Sequence, residues 1–371
     1  MSTLVDKYEV QERTVRKWIE KLGFSKFESV KSDQLREAMQ RSLPDKEMFF
    51  VTYAQNATPV HPALWRNMKK DAEALGAAIV VIAGRYQNPS LYRSQDKVDT
   101  QDWWDEDLND YLFASRLELD DRITVAADVK ISPTAVNPLS GFTGFGKGKT
   151  CIFGHPRVHL QSMPIFKGNP HVLQLTTGAC TVKNYSDTKA GKKAEFHHQY
   201  GFVIIEVDEN GSHIRQVTAK DDGSYEDLYR RVSDQGIEVI DSCAGFVMGD
   251  LHVRHLEWGV FEATKRLLEK VRPDRVVLHD VFDGDSINHH ESKDPIKNFQ
   301  KRQEGRHTIK EEMEDCLRLI NELLEYNPVV VRSNHDYWGD RWIRSKDWRD
   351  DLDNALEFID WVGLSLRGMM P

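Results

Sequence analysis

Phe246-Val247-Met248-Gly249-Asp250-Leu251-His252 is the stretch on which the reading of the fold turns. Three apolar residues read as a short strand, the glycine ends it, and Asp250 and His252 stand two apart on the loop that follows, where both can point at one ion. The arrangement comes twice more. Arg275-Val276-Val277-Leu278 runs into His279-Asp280-Val281-Phe282-Asp283, and Pro328-Val329-Val330-Val331 runs through Arg332 into Ser333-Asn334-His335-Asp336. Between these strands, Phe261 to Val271 has the spacing of an amphipathic helix, and Arg306 to Tyr326 predicts one long helix. Strands alternating with helices imply an α/β fold with a parallel sheet, whose carboxyl edge is where sites form.

The residue types at those three strand ends have a common chemistry. Carboxylate, imidazole and amide oxygen suit Mn²⁺, Mg²⁺, Fe or Zn²⁺ rather than copper or an iron–sulfur cluster. A carboxylate shared by two ions ~3.5–4 Å apart is the arrangement that activates water and clamps a phosphoryl group. Asp283 reads first as a brace for its loop and only second as a ligand. His255, His279, His289 and His290 crowd the same loops, and His289 and His290 are candidates for substrate contact. Arg332 could face a phosphate or form a surface salt bridge.

In this order, each after an expected strand, the blocks resemble the calcineurin-like metallophosphoesterase family. Its signature reads D-x-H, GD-x-x-D, GNH[DE], a lone His, then GH-x-H; here His279 and Ser333 stand where the family usually has glycine. The resemblance implies a β-sandwich-type α/β domain holding two divalent metal ions, with Mn²⁺ the first expectation. It implies that Asp250 and His252 bind the first ion, that Asp280 bridges both and that Asn334 binds the second. A metal-activated water would attack phosphorus in line while His335 protonates the leaving oxygen, and Asp336 would orient the His335 ring. The family's last histidines have no counterpart, because no histidine follows His335. The stretch from Gly363 to Pro371 reads as a strand entering a further part of such a fold, so the domain is expected to be the N-terminal part of one. The alternative is that His155 and His159, in Gly154-His155-Pro156-Arg157-Val158-His159, or another subunit supply the missing ligands.

The domain expected at 241–371 is preceded by two other segments. Over 46–240, Met48 to Tyr53 reads as a strand, Pro62 to Leu75 as a helix and Ala77 to Ala83 as a buried strand, a β-α-β pattern with a parallel pair. Thr150 to Phe153, Val172 to Leu175 and Phe202 to Val207 are further strands, and Asp99 to Asp121 reads as surface helix and loop. Thr143-Gly144-Phe145-Gly146-Lys147-Gly148-Lys149-Thr150 looks like a phosphate-binding loop but lacks the first glycine and leads into a strand, whereas such a loop must open a helix. Residues 1–45 read as a helix-turn-helix-like segment in which Arg13, Thr14, Arg16 and Lys17 could enter a DNA major groove; an amphipathic helix used only for packing fits equally.

The formal net charge of −9 over 371 residues argues against a protein that coats nucleic acid nonspecifically. It does not exclude a nuclease, because bound metal ions supply positive charge where phosphate sits. Four cysteines without a CxxC pair favour reduced, buried thiols. No apolar run is long enough for a membrane span and the start lacks a secretory h-region, so a cytoplasmic protein with no membrane partner is expected. Through Tyr53-Ala54-Gln55-Asn56-Ala57-Thr58, Gly84-Arg85-Tyr86-Gln87-Asn88-Pro89 and Thr176-Thr177-Gly178-Ala179-Cys180-Thr181, as well as the three ligand blocks, the chain resembles bacteriophage metallophosphoesterases, most of all the DNA-degrading nucleases of T5-like phages. That resemblance implies DNA as substrate and a homo-oligomer. Two other readings stay open: a phosphoesterase acting on small phosphate esters or cyclic nucleotides, and a catalytically inactive DNA-binding or scaffold protein.

Overall fold

The computed structural model describes residues 32–85, 103–166, 169–208, 211–291 and 294–368. The expected DNA-contacting residues Arg13, Thr14, Arg16 and Lys17 lie outside the described residues. The chain forms two compact units, one built from residues up to Asp227 with Arg231–Glu238, the other from Leu228–Arg230 with Val239 onward.

In the first unit, helix α1 (Asp33–Gln40) precedes strand β1 (Met48–Ala54), helix α2 (Pro62–Leu75) and strand β2 (Ala78–Ala83). Helix α2 has well-defined ends. Pro62 occupies its first turn, His61 Nδ1 accepts from the Leu64 N–H, and Gly76 closes it at φ 66°. β1 and β2 pair in parallel from Phe49↔Ala78 to Ala54↔Ala83, the expected β-α-β unit. With β3 (Leu112–Phe113), β9 (Gly201–Asp208) and β10 (Gly211–Thr218), they form a sheet of order β10-β9-β1-β2-β3. A second sheet has the order β4-β5-β6-β8-β7, from Leu117–Glu118, Ile123–Val125, Thr150–Phe153, Leu173–Thr176 (β8) and Leu160–Ser162 (β7).

Alternation along β1 assigns its side chains to two layers. Phe49, Val51 and Tyr53 pack with Ile123, Val125, Ile152 and Leu175 of the second sheet. Phe50 and Ala54 pack on the other side with Leu64, Trp65 and Met68 of α2 and Leu35 and Ala38 of α1. The first sheet is therefore covered on both faces, which is why β1 and β2 read as continuous apolar runs. The Gly/Lys loop before Thr150 leads into β6, as expected, and not into a helix. The segment expected as surface helix and loop is different. Only Glu106–Tyr111 is a 3₁₀ turn, and it leads into β3 and β4, with Trp104, Leu108, Leu112 and Phe113 buried. Acidic residues disguise it because they alternate with the side chains that pack inward. Helix α3 (Lys189–His197) and the short sheet of β11 (Tyr225–Asp227), β12 (Arg230–Ser233) and β13 (Gly236–Val239) follow in the chain. Cys151, Cys180 and Cys316 are buried free thiols, and Cys243 is half-buried and free.

The second unit contains the three expected strands, β14 (Phe246–Met248), β15 (Val276–His279) and β16 (Val329–Val331). They pair in parallel, in register Phe246↔Val276 and Val277↔Val329, in the order β14-β15-β16. Helix α4 (Trp258–Val271) joins the first two strands. Between β15 and β16 a helix not expected from sequence, α5 (Pro295–Gln303), comes first, and the helix expected over Arg306 to Tyr326 is α6 (Ile309–Asn321) followed by a 3₁₀ turn at Leu324–Tyr326. Asp294 caps α5 through the Ile296 and Lys297 N–H groups, and Pro295 takes its first position, local signals strong enough to start a separate helix.

Helices α7 (Asp336–Ser345) and α8 (Ala355–Leu366) complete the unit. The stretch from Gly363 to Leu366, expected as a strand, is the last turn of α8, whose Phe358 and Trp361 pack against Trp342 of α7. The expected β-sandwich-type layout is also not what the described residues show. They hold one parallel sheet in this unit, and Val247, Val329 and Val331 on it are exposed.

Candidate metal centre

The three strand-end loops meet beyond the carboxyl edge of the β14-β15-β16 sheet. Backbone hydrogen bonds carry the first two loops forward together: Leu251 N–H to His279 O, His252 N–H to Asp280 O at 2.7 Å and Val253 N–H to Val281 O at 3.1 Å. Asp250, His252 and Asp280 all have φ between 43° and 53°. Such values are costly for residues with a Cβ, and they cluster where a fold is made to aim side chains.

Three groups of ligand atoms result among the described residues, each lying within 4.8 Å: Asp250, His252 and Asp280; His252, Asp283 and His335; and His255, Asp283 and Asp285. Asp280 is 4% exposed, and its Oδ2 lies 2.7 Å from His279 Nδ1. Burial raises the Asp280 carboxyl, and the nearby Ser333 hydroxyl with the His279 and His252 rings more than offsets this, so the group is held below the usual carboxylate range. His279, which replaces the usual glycine, thus acts as the partner of the central carboxylate.

The polar atoms in this cluster are incompletely paired. Asp280 Oδ1 and His252 Nδ1 are buried with no hydrogen-bond partner among the described residues. His252 Nδ1 is 3.0 Å from Asp283 Oδ1 without the alignment of a hydrogen bond. Buried donors and acceptors are almost always satisfied. Buried carboxylate and imidazole atoms left without hydrogen bonds in one cluster fit a divalent cation, and the donor set fits Mn²⁺, Mg²⁺, Fe or Zn²⁺.

Asp283 is the hub of the second group and more than a loop brace. It is 8% exposed, with His252 Nδ1 and His255 Nε2 at 3.0 and 3.1 Å from its carboxylate. Its backbone carbonyl accepts from His335 Nδ1 at 2.7 Å, and its Oδ1 is 3.6 Å from that nitrogen. The expected role of Asp336 as holder of the His335 ring is therefore corrected. Asp336 is the first residue of α7, and its Oδ2 accepts from the Ser333 N–H at 2.6 Å, pinning the turn instead. A side chain at the start of a helix reaches back to free N–H groups more easily than sideways to its neighbour's ring.

Other expected residues fall at varying distances from this centre. Asn334, between the buried Ser333 and the half-buried His335, is exposed. Arg332 is paired with Asp340 and lies 4.4 Å over the Tyr337 ring, the surface salt bridge of the two options. His289 and His290 lie with ring centroids 3.9 Å apart, edge-on to Trp338, and Arg341 donates to His289 Nε2 at 2.6 Å. His155 belongs to the first unit and is 1% exposed. Its Nδ1 accepts from Arg157 N–H at 3.0 Å and its Nε2 lies 3.1 Å from Ser132 O, a packing role. His159 also belongs to the first unit, where its N–H donates to Thr176 Oγ1.

Sequence reading missed the support beneath Asp283. Glu312 of α6 is fully buried and accepts from Asp285 N–H, Ser286 N–H and Ser286 Oγ at 3.0, 3.0 and 2.6 Å. Burial raises its carboxyl despite these donors. Lys301 of α5, 6% exposed, donates to Asp285 O at 2.5 Å and pairs with Glu291 at 2.9 Å, and Arg306 pairs with Asp285. Glu312 and Lys301 meet Asp285 across 16 to 27 residues, which leaves no local pattern to find.

The fold and the centre together define a carboxylate–imidazole cluster on the carboxyl edge of a parallel α/β sheet. No protein-family model matches the chain. It is similar to Protein A1 of Escherichia phage T5, 27% identical over 353 residues that take in 88% of this chain and 63% of the phage protein. The chain thus has a relative in phage T5 and spans less than two thirds of that relative's length. Among solved structures, Vps29 of Chaetomium thermophilum matches over 47% of this chain and 98% of its own, at 9% identity and a TM-score of 0.24, too low to bear on the fold. Among the described residues, no helix is long and apolar enough to cross a membrane.

Proposed function

We propose that the protein is a metal-dependent phosphodiesterase that hydrolyses DNA. The observation that carries this reading is the convergence of Asp250, His252 and Asp280 with Asp283 and His335 at the ends of three parallel strands. Asp250, His252 and Asp280 would hold one divalent ion, and Asp280 with Asn334 would contribute to a second. When bound, such ions polarise the phosphoryl group and make water a stronger nucleophile at neutral pH.

The protein's own groups supply the proton chemistry. A carbonyl oxygen only accepts, so the contact with Asp283 O requires the hydrogen on His335 Nδ1. Nε2 is then the nitrogen that gains and gives a proton, and in its protonated state it can deliver that proton to the leaving oxygen. DNA as the substrate rests on the resemblance to nucleases of T5-like phages and agrees with the similarity to T5 Protein A1, whose name states no activity.

Calorimetric titration with Mn²⁺ and turnover of bis(p-nitrophenyl) phosphate and DNA test the reading. Metal binding and turnover, both lost in Asp280→Ala, are expected. A chain that binds no Mn²⁺ and cuts neither substrate would instead be the inactive binding protein.

A further inference from the structure

Resting on the phosphodiesterase reading, we propose that a cavity beside the metal centre receives the base of the nucleotide next to the scissile phosphate. The cavity has a volume of about 350 Å³ and is lined by His255, Asn288, Gln300, Lys301, Arg306 and Trp338, with Asp283 at the end nearest the centre. That lies at the small end of the range for ligand pockets.

Its charges are already matched, which argues against a second phosphate. Lys301 is held by Glu291 and the Asp285 carbonyl, Arg306 by Asp285 and Glu304, and Lys297 at the rim by Glu291. His255 in turn faces the Asp283 carboxylate at 3.1 Å, and beside these paired groups the cavity offers an aromatic wall and two amides. The Gln300 side chain has no hydrogen bond among the described residues, and Asn288 uses only Oδ1, accepting from His290 N–H. Amide groups offer donor and acceptor together, the pattern on a base edge.

The wall is rigid and connected to the chemistry. The Trp338 indole stacks on His335 at 4.7 Å and 24°. Gly284, at φ 71°, allows the Asp283 loop to lie flush against it; a Cβ there would fall 2.8 Å from Trp338 Cε3. One side chain therefore borders both the cavity and the proton-transferring imidazole, so a base against the indole edge would set its own phosphate near His335. A base can enter such a cavity only after leaving the duplex stack, so single-stranded or frayed DNA is the substrate that fits.

Fluorescence anisotropy on the full chain without added metal tests this with two labelled single strands of equal length, oligothymidylate and its abasic counterpart. Their phosphates are the same, so a difference reports the base. The thymidine strand is expected to bind about tenfold tighter, the effect of one stacked base. The ratio should collapse toward one in Gln300→Leu and in Trp338→Ala, and survive in Trp338→Phe. Equal binding of both strands by the parent protein, or an unchanged ratio in Gln300→Leu and Trp338→Ala, would overturn the proposal. Gln300 is exposed, so its variant keeps the test sound if Trp338→Ala does not fold. Because anisotropy needs no turnover, failure of the phosphodiesterase reading would appear separately, as absent hydrolysis of bis(p-nitrophenyl) phosphate with Mn²⁺.

Discussion

His335 Nδ1 lies 2.7 Å from the backbone carbonyl oxygen of Asp283, and the carboxylate of the same aspartate reaches His252 and His255. One residue thereby fixes three imidazoles in the centre. Asp283→Ala should lower kcat on a phosphodiester by about 10²-fold and weaken Mn²⁺ by about tenfold, as loss of a group orienting a catalytic or ligating histidine does. Asp283→Asn, which keeps the shape and loses the charge, should fall between. Steady-state rates with bis(p-nitrophenyl) phosphate and a Mn²⁺ titration measure both effects; a Asp283→Ala protein within threefold of the parent in both would refute the hub role.

Asp336 provides the contrast. Its carboxylate holds the Ser333 N–H and does not reach the ring of His335. Asp336→Ala should therefore cost about 1 kcal/mol of stability, in the range of a lost helix cap, and reduce turnover much less than Asp283→Ala. Thermal melts beside rates decide the matter. Abolished turnover at unchanged melting temperature would restore Asp336 to the ring-orienting role expected from sequence.

Lys301 is buried at 6% exposure between Asp285 and Glu291. Replacing it with Met leaves Asp285 to Arg306 alone and Glu291 to Lys297 alone, so the loss should fall below the ~3–5 kcal/mol of a buried pair broken on one side. In urea, the transition belonging to the second unit should move to lower denaturant while that of the first stays in place. If neither transition moves, the ion network carries no stability.

Acid should weaken the first unit. Burial lowers His155 and His198 from the ordinary value of 6.5 to about 4 each. A folded value below the unfolded one gives stability that is fully present above pH 6.5 and is lost as pH falls toward 4, because the unfolded chain takes up the protons first. Each ring contributes on the order of 3 kcal/mol across that window. Circular-dichroism melts at pH 7.5 and 5 should show a fall that is smaller in His155→Gln. An equal fall in that variant would mean that other groups carry the pH dependence.

The ligand blocks were legible because the signal is local. Three apolar residues and then Asp250-Leu251-His252, or Ser333-Asn334-His335, spell strand and site within one short window, and β14, β15 and β16 form where that pattern predicts. The same holds for β1, α2 and β2, whose burial on both sides makes them continuous apolar runs. Where local signals conflict, the reading failed. Asp294-Pro295 starts a helix ahead of the one that periodicity marked from Arg306, and Gly363 to Leu366 continues α8 because Phe358 and Trp361 pack on Trp342.

The sequence by itself determined the strand–helix alternation of the second unit, the β-α-β start of the first and the identity of the groups at three strand ends. Only the tertiary structure decided which of those groups meet. Asp283 moved to the middle because Glu312, Lys301 and Arg306, 16 to 27 residues along the chain, hold the loop that follows it. Asn334 stayed exposed, and Asp336 turned back to its own turn. Residue types fix which chemistry is available, but the direction of a side chain depends on backbone dihedrals and on partners distant in sequence, and neither is written in the spacing of a motif.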